Sequence, residues 1–129
     1  MHNYKNLKIW QNSRLLVKQV YELTYSLPQN EKYGLVSQIQ RAAISIPANI
    51  AEGSGRGSDK DFARFLDIAI SSSFELETEL LLALDLAYIS EEKLSPVLLQ
   101  IQETQKMIFG LKEKLLLNNK ELNLTQASS

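Results

Sequence analysis

The chain has no cysteine, which excludes disulfides and thiolate metal sites and fits a reducing compartment. It has one histidine, His2, close to the N-terminus. Carboxylate bundles that hold two irons use Glu-x-x-His pairs on facing helices, so Glu75, Glu77 and Glu79 cannot complete that set, and no metal or cofactor is expected. No apolar run is long: Leu80 to Leu84 is stopped by Asp85, far short of the ~20 residues of a membrane span. The opening MHNYKNLKIWQNS lacks the apolar centre and small-residue cleavage site of a signal peptide. Nor is there a polybasic run, and the formal net charge is −1, so the strong non-specific nucleic-acid footprint is missing. Together these absences predict a soluble cytoplasmic protein.

What is present is apolar. Hydrophobic residues make up 44% of 129, enough to fold one domain without staples. The central stretch is Tyr33 to Gly57, YGLVSQIQRAAISIPANIAEGSGRG, where Arg41 is the only charge between Tyr33 and Ala51. On a helical projection Leu35, Ile39, Ala42, Ala43, Ile46 and Ile50 share one side, and Ile44, Ala48 and Ala51 lie roughly opposite. Between them runs a narrow polar strip of Arg41, Ser45, Asn49 and Glu52. A helix apolar on two sides is buried on two sides. In a chain this short, one side faces its own domain and the other a second copy. The expected interface is therefore Arg41, Ile44, Ser45, Ala48, Asn49, Ala51 and Glu52.

The rest reads as helices. Trp10, Ser13, Val17, Val20, Thr24 and Leu27, widened by Leu16 and Tyr21, predict a first helix from Tyr4–Leu7 to about Leu27, ended by Pro28. The second starts near Asn30 or Glu31. Pro47 deletes its bond to the Ala43 carbonyl at a cost of ~3 kcal/mol or more. Either the helix restarts there, capped by Ser45, or it bends and continues; the in-phase spacing of Ile46 and Ile50 favours a kinked, continuous helix.

Gly53 to Ser58 is the clearest break, with Gly53 or Gly55 expected in the left-handed conformation and Ser58 as N-cap. A phosphate cradle using Arg56 is the competing reading, but the Lys-Ser/Thr of a Walker loop is absent and Asp59 and Asp61 would repel an anion. Phe62, Leu66, Ala69, Ser73, Leu76, Leu80, Ala83 and Ala87 form a bundle seam over Asp59 to Tyr88. Here Glu75 and Glu79 are expected to pair with Arg or Lys on a neighbouring helix.

Ser90 caps a fourth helix through Leu94, Val97, Ile101, Thr104, Ile108, Leu111 and Leu115; at Pro96 it either restarts or bends. The stripe fades after Leu117, so 118–129 is expected to be a frayed polar tail to a single domain over 1–117. No strand-like alternation or internal repeat is present. Four helices with short connections predict an all-α, antiparallel up-down-up-down four-helix bundle.

These residues also carry a family pattern. Tyr33-Gly34-Leu35, Gln38-Ile39, Arg41-Ala42-Ala43, Ser45-Ile46-Pro47, Asn49 to Gly53 and Gly55-Arg56 resemble the signature of the 23S rRNA intervening-sequence protein family. So do Phe62, Arg64-Phe65-Leu66, Ile68-Ala69, Glu75 to Thr78 with Leu80, the Leu7-Ile9-Trp10 opening and the Met107-Leu111-Leu115 close. The resemblance covers roughly residues 5 to 117 and implies a four-helix bundle. It further implies that relatives assemble as ring-like homopentamers and are bacterial. A related branch serves as accessory protein to the reverse transcriptase of diversity-generating retroelements, binding nucleic acid and the transcriptase. The family often has paired arginines where this chain has Gln40-Arg41, and Gly-Ser where it has Ser71-Ser72.

The expected function is a non-enzymatic, self-associating binding or scaffold module. The alternative is a nucleic-acid-binding accessory protein using Lys5, Lys8, Arg14, Lys18, Arg56, Lys60 and Arg64. An enzyme is disfavoured, because no nucleophile elbow, His/Asp cluster or metal-ligand spacing occurs, only Arg56 and Glu52 near a glycine loop.

Overall fold

The computed structural model describes residues 3–128; His2 and Ser129 lie outside the described residues. A 3-10 turn at Tyr4–Asn6 leads into α1 (Lys8–Thr24), and a second turn at Gln29–Glu31 precedes α2 (Leu35–Ser54). Then follow α3 (Asp59–Asp85) and α4 (Glu91–Ser128). Consecutive helices pack side by side and α4 closes back on α1, while the diagonal pairs α1–α3 and α2–α4 make no close backbone approach among the described residues. This is the expected all-α up-down-up-down bundle.

The core is one cluster fed by all four helices. Leu16, Val20, Ile39, Ile46, Ile50, Leu66, Leu76, Leu80, Leu94, Ile101 and Ile108 have essentially no exposure. Hydroxyls enter it only because each donates into its own helix. Ser13 Oγ bonds the Trp10 carbonyl at 2.9 Å, Thr24 Oγ1 that of Tyr21 at 2.8 Å, and Thr104 Oγ1 that of Gln100 at 2.8 Å. A buried hydroxyl without such a partner would cost about 1–3 kcal/mol.

Side-chain polar contacts join each adjacent helix pair. Gln40 Nε2 donates to Thr24 Oγ1 at 3.1 Å between α2 and α1, and Ser45 and Ser72 share a 2.7 Å hydroxyl contact between α2 and α3. Gln105 Nε2 donates to Ser73 Oγ at 3.1 Å between α4 and α3, and the Asn12 amide points at the Met107 sulfur between α1 and α4. These contacts fix the antiparallel register.

Several boundaries differ from the sequence expectation. α2 begins after the 3-10 turn, with Gly34 at its N-cap (φ −107°, ψ −108°), a conformation through which a helix does not propagate. As the in-phase spacing of Ile46 and Ile50 predicts, α2 is continuous through Pro47. α4 likewise takes Pro96 in its second turn, with Ser90 Oγ accepting from the Lys93 amide at 3.2 Å as N-cap. Instead of fraying at Asn118, α4 continues to Ser128, with the side chains of 120–125 exposed. The Asp67–Lys112 ion pair and the Ser73–Gln105 bond set α4 against α3. In that register the last two turns or so of α4 project past the start of α3.

The glycine-rich break also closes differently. No glycine among the described residues has positive φ; Gly55 ends α2 at φ −86°. Gly53 is required for space instead. A Cβ there would lie 2.7 Å from Phe65 Cβ and 2.9 Å from Phe62 Cδ1, so α2 and α3 meet through the missing side chain. The left-handed residue is Ala87 (φ 61°), which ends α3 at Asp85 rather than Tyr88. The Tyr88 amide bonds the Ala83 carbonyl and the Ala87 amide that of Leu84, both at 2.9 Å, the paired geometry that usually selects glycine.

Two substitutions test these points by denaturant midpoint at unchanged slope. Gly53→Ala is expected to destabilise by about 2 kcal/mol, overpacking exceeding the gain in helix propensity. Ala87→Gly is expected to stabilise by about 1 kcal/mol, by relieving the left-handed strain.

Candidate functional site

The groove between α2 and α3 holds most of the polar strip. Ser45, half-buried, contacts Ser72, and Asn49 Nδ2 donates to the Ser45 carbonyl at 2.8 Å and to Ser45 Oγ at 2.9 Å. The strip therefore ties α2 to α3 and does not reach the Ala43 carbonyl that Pro47 leaves without its usual donor. Arg41 and Glu52 are exposed at its outer edge. Glu52 Oε1 takes Arg56 Nη2 at 2.9 Å, and Arg41 makes no ion pair among the described residues. Ile44 is 45% exposed, Ala48 is exposed and Ala51 is half-buried. The Ser45–Ser72 contact sets Ile68, 40% exposed on α3, level with Asn49.

The three glutamates of α3 separate around the helix. Glu75 is exposed, Glu77 half-buried and Glu79 buried, and none has an ion-pair partner among the described residues. Glu79 Oε1 has no hydrogen-bond partner. Burial, aided by the charge of Glu75 one turn away, pushes the Glu79 carboxyl up to about 7. Sequence reading missed this environment, because the carboxyl's position on the inner edge of the α2 groove depends on how α3 is rotated.

The glycine loop is a turn. Ser58 Oγ accepts from the Asp61 amide at 3.1 Å, capping α3. A concavity of about 270 Å³ lies between Arg56, Gly57, Ser58, Asp59 and Phe62 and the α4 residues Asn118, Asn119 and Leu122. An anion there would meet the Asp59 carboxylate, and Arg56 is already held by Glu52, so the loop does not form a phosphate cradle.

The expected basic residues divide into two sets. Arg56 and Arg64 both stack on the Phe65 ring, at 4.5 and 4.7 Å, and are neutralised by Glu52 and Asp61. Lys60 is exposed beside them. On the other side, Lys5, Lys8, Arg14 and Lys18 are exposed and have no carboxylate partner among the described residues. Glu22 is the only acidic residue of α1. Here Trp10 is only half-buried, with the Tyr4 ring edge-on at 5.1 Å and the Arg14 guanidinium 5.4 Å from its own ring. The 3-10 turn keeps α2's C-terminal end and the start of α1 together, so both sets lie toward one end of the bundle.

The fold and site define a class first: an all-α four-helix protein with one outward apolar strip and one uncompensated basic edge. None of its described helices is long and apolar enough to cross a membrane. The chain belongs to the 23S rRNA-intervening sequence protein family, whose model matches residues 5–110. A solved structure similar to it is a protein of unknown function from the S23 ribosomal protein family of Bacteroides thetaiotaomicron VPI-5482. The two are 26% identical with a TM-score of 0.75, over 81% of this chain and 97% of that one. No curated protein matches the chain.

The buried carboxyl generates a test of pH dependence. Its folded value of about 7 stands above the ordinary 4.5, so the folded state holds the extra proton between those values. Stability from this group is present below about pH 4.5 and is lost as pH rises to about 7. Glu79→Gln is expected to flatten that loss and to stabilise by about 1 kcal/mol at pH 8, with little effect at pH 4, as read by thermal melts across pH.

Proposed function

We propose that the protein is a non-enzymatic, self-associating bundle that acts as a binding or scaffold module. The observation that carries this reading is the outer surface of α2. Twenty residues contain two charges, Arg41 and Glu52, and present Ile44 and Ala48 to solvent where a surface helix has a polar face. Ile68 of α3 extends the same surface. A second copy of the chain is the occupant that fits, meeting Ile44, Ala48 and Ala51, with Arg41, Ser45, Asn49 and Glu52 as its polar rim. The family resemblance implies a ring of five subunits.

Nucleic-acid binding is the second reading. It is favoured by the basic residues of the α1 edge, which have no acidic partners among the described residues despite the overall charge of −1. An accessory role beside an rRNA intervening sequence or a retroelement reverse transcriptase would use that edge.

Light scattering on the purified protein tests the first reading. A mass near five chains is expected, and Ile44→Asp or Ala48→Asp is expected to give monomers of unchanged helical circular dichroism. Both positions are exposed, so neither change disturbs the core. A monomeric wild-type protein, or an assembly untouched by both changes, overturns it.

A further inference from the structure

We propose that the start of α1 is a binding site for single-stranded nucleic acid, in which a base stacks at Trp10 while Lys5, Arg14 and Lys18 meet the phosphates. This rests on the nucleic-acid reading and specifies its ligand and site. Lys5, Trp10, Gln11 and Arg14 line an open concavity of about 610 Å³ that contains no carboxylate. Its floor is held in place: Asn3 Oδ1 caps the Lys5 amide at 3.2 Å, and Gln11 Nε2 donates to the Lys5 carbonyl at 2.9 Å. Tyr4 packs edge-on against Trp10, at 69° between ring planes, which orients the indole without a parallel ring stacked upon it.

The charges suit a strand more than a duplex. Arg14 and Lys18 stand one helical turn apart, ~5–6 Å along α1, close to the spacing of successive phosphates on one strand. Lys5 lies beyond Trp10 on the other side of the concavity. An aromatic side chain between cations is the means by which proteins hold unpaired bases irrespective of sequence. In a duplex the bases are stacked on each other and unavailable to Trp10. Arg56 and Arg64, by contrast, spend their charge on Glu52 and Asp61 and their faces on Phe65. Arg14 also leans on a ring, but its charge has no carboxylate.

Trp10 is the only tryptophan, so intrinsic fluorescence reports on the site. The probes are a single-stranded oligothymidylate, a duplex of equal length and polyglutamate, each titrated into the full chain at 50 and 200 mM salt. The expected result is quenching of Trp10 by the oligothymidylate alone. If the three cations neutralise three phosphates, affinity falls about 20-fold between the two salt concentrations. Arg14→Glu with Lys18→Glu, both exposed, is expected to abolish binding while leaving the fold and the oligomeric mass unchanged. Trp10→Leu, which carries no tryptophan and is therefore read by the anisotropy of a dye-labelled oligothymidylate, is expected to weaken binding about tenfold at an unchanged salt slope.

Equal affinity for the duplex with Trp10 fluorescence unmoved overturns the single-strand site while leaving the nucleic-acid reading standing. No binding of either nucleic acid at 50 mM salt overturns both. Polyglutamate that competes as well as the oligothymidylate shows a general anion surface and overturns the inference.

Discussion

The closest constraint in the molecule is the meeting of α2 and α3 at Gly53. Phe62 and Phe65 occupy the space a side chain would take, and the two helices are drawn together at the point where the chain turns between them. From there the rest follows in order. Ser58 caps α3, Phe65 is held against α2 under the Arg56 and Arg64 guanidinia, and about two turns further on Ser45 meets Ser72. That register decides which residues of α2 look inward. Ile39, Ala42, Ala43, Ile46 and Ile50 go to the core, and Ile44 and Ala48 are left outside.

Polar groups inside the bundle obey one rule with two exceptions. Hydroxyls bond back to their own helices, and each adjacent helix pair gains at least one polar contact that a slip in register would break. Such contacts add little net stability, but losing one leaves a buried group unsatisfied, so they select one alignment among several of similar apolar content. Gln19 Oε1 and Glu79 Oε1 are the exceptions. Glu79 departs further, since its charge is disfavoured by burial and by Glu75 together.

Function divides along the same geometry. The apolar surface belongs to α2 with α3, and the uncompensated basic edge belongs to α1. Under the proposed self-association through the first, an assembly would repeat the basic edge once per subunit. A weak single contact with a polyanion, repeated in this way, gains by effective concentration. A protein of nearly zero net charge can then recognise an anion locally without the broad electrostatic footprint of a basic domain.

The four helices, their order and the inner face of α2 were legible from spacing alone, because a 3.6-residue period writes burial directly into the sequence. The Ser58 and Ser90 caps were legible for a similar reason, being local chemistry. So was the family, through residues Tyr33 to Arg56. Tertiary structure decided the remainder. It made Gly53 a point of helix contact rather than a left-handed turn, and gave the left-handed role to Ala87. It extended α4 past Asn118, where no core stripe announces a helix. It also sorted one list of basic residues into two, since pairing depends on which carboxylate lies within reach. Arg56 and Arg64 find theirs within a turn of their own helical neighbourhood, whereas α1 offers only Glu22. Periodicity is a one-dimensional signal and fixes faces; compensation of charge and room for a side chain are set by neighbours distant in the chain.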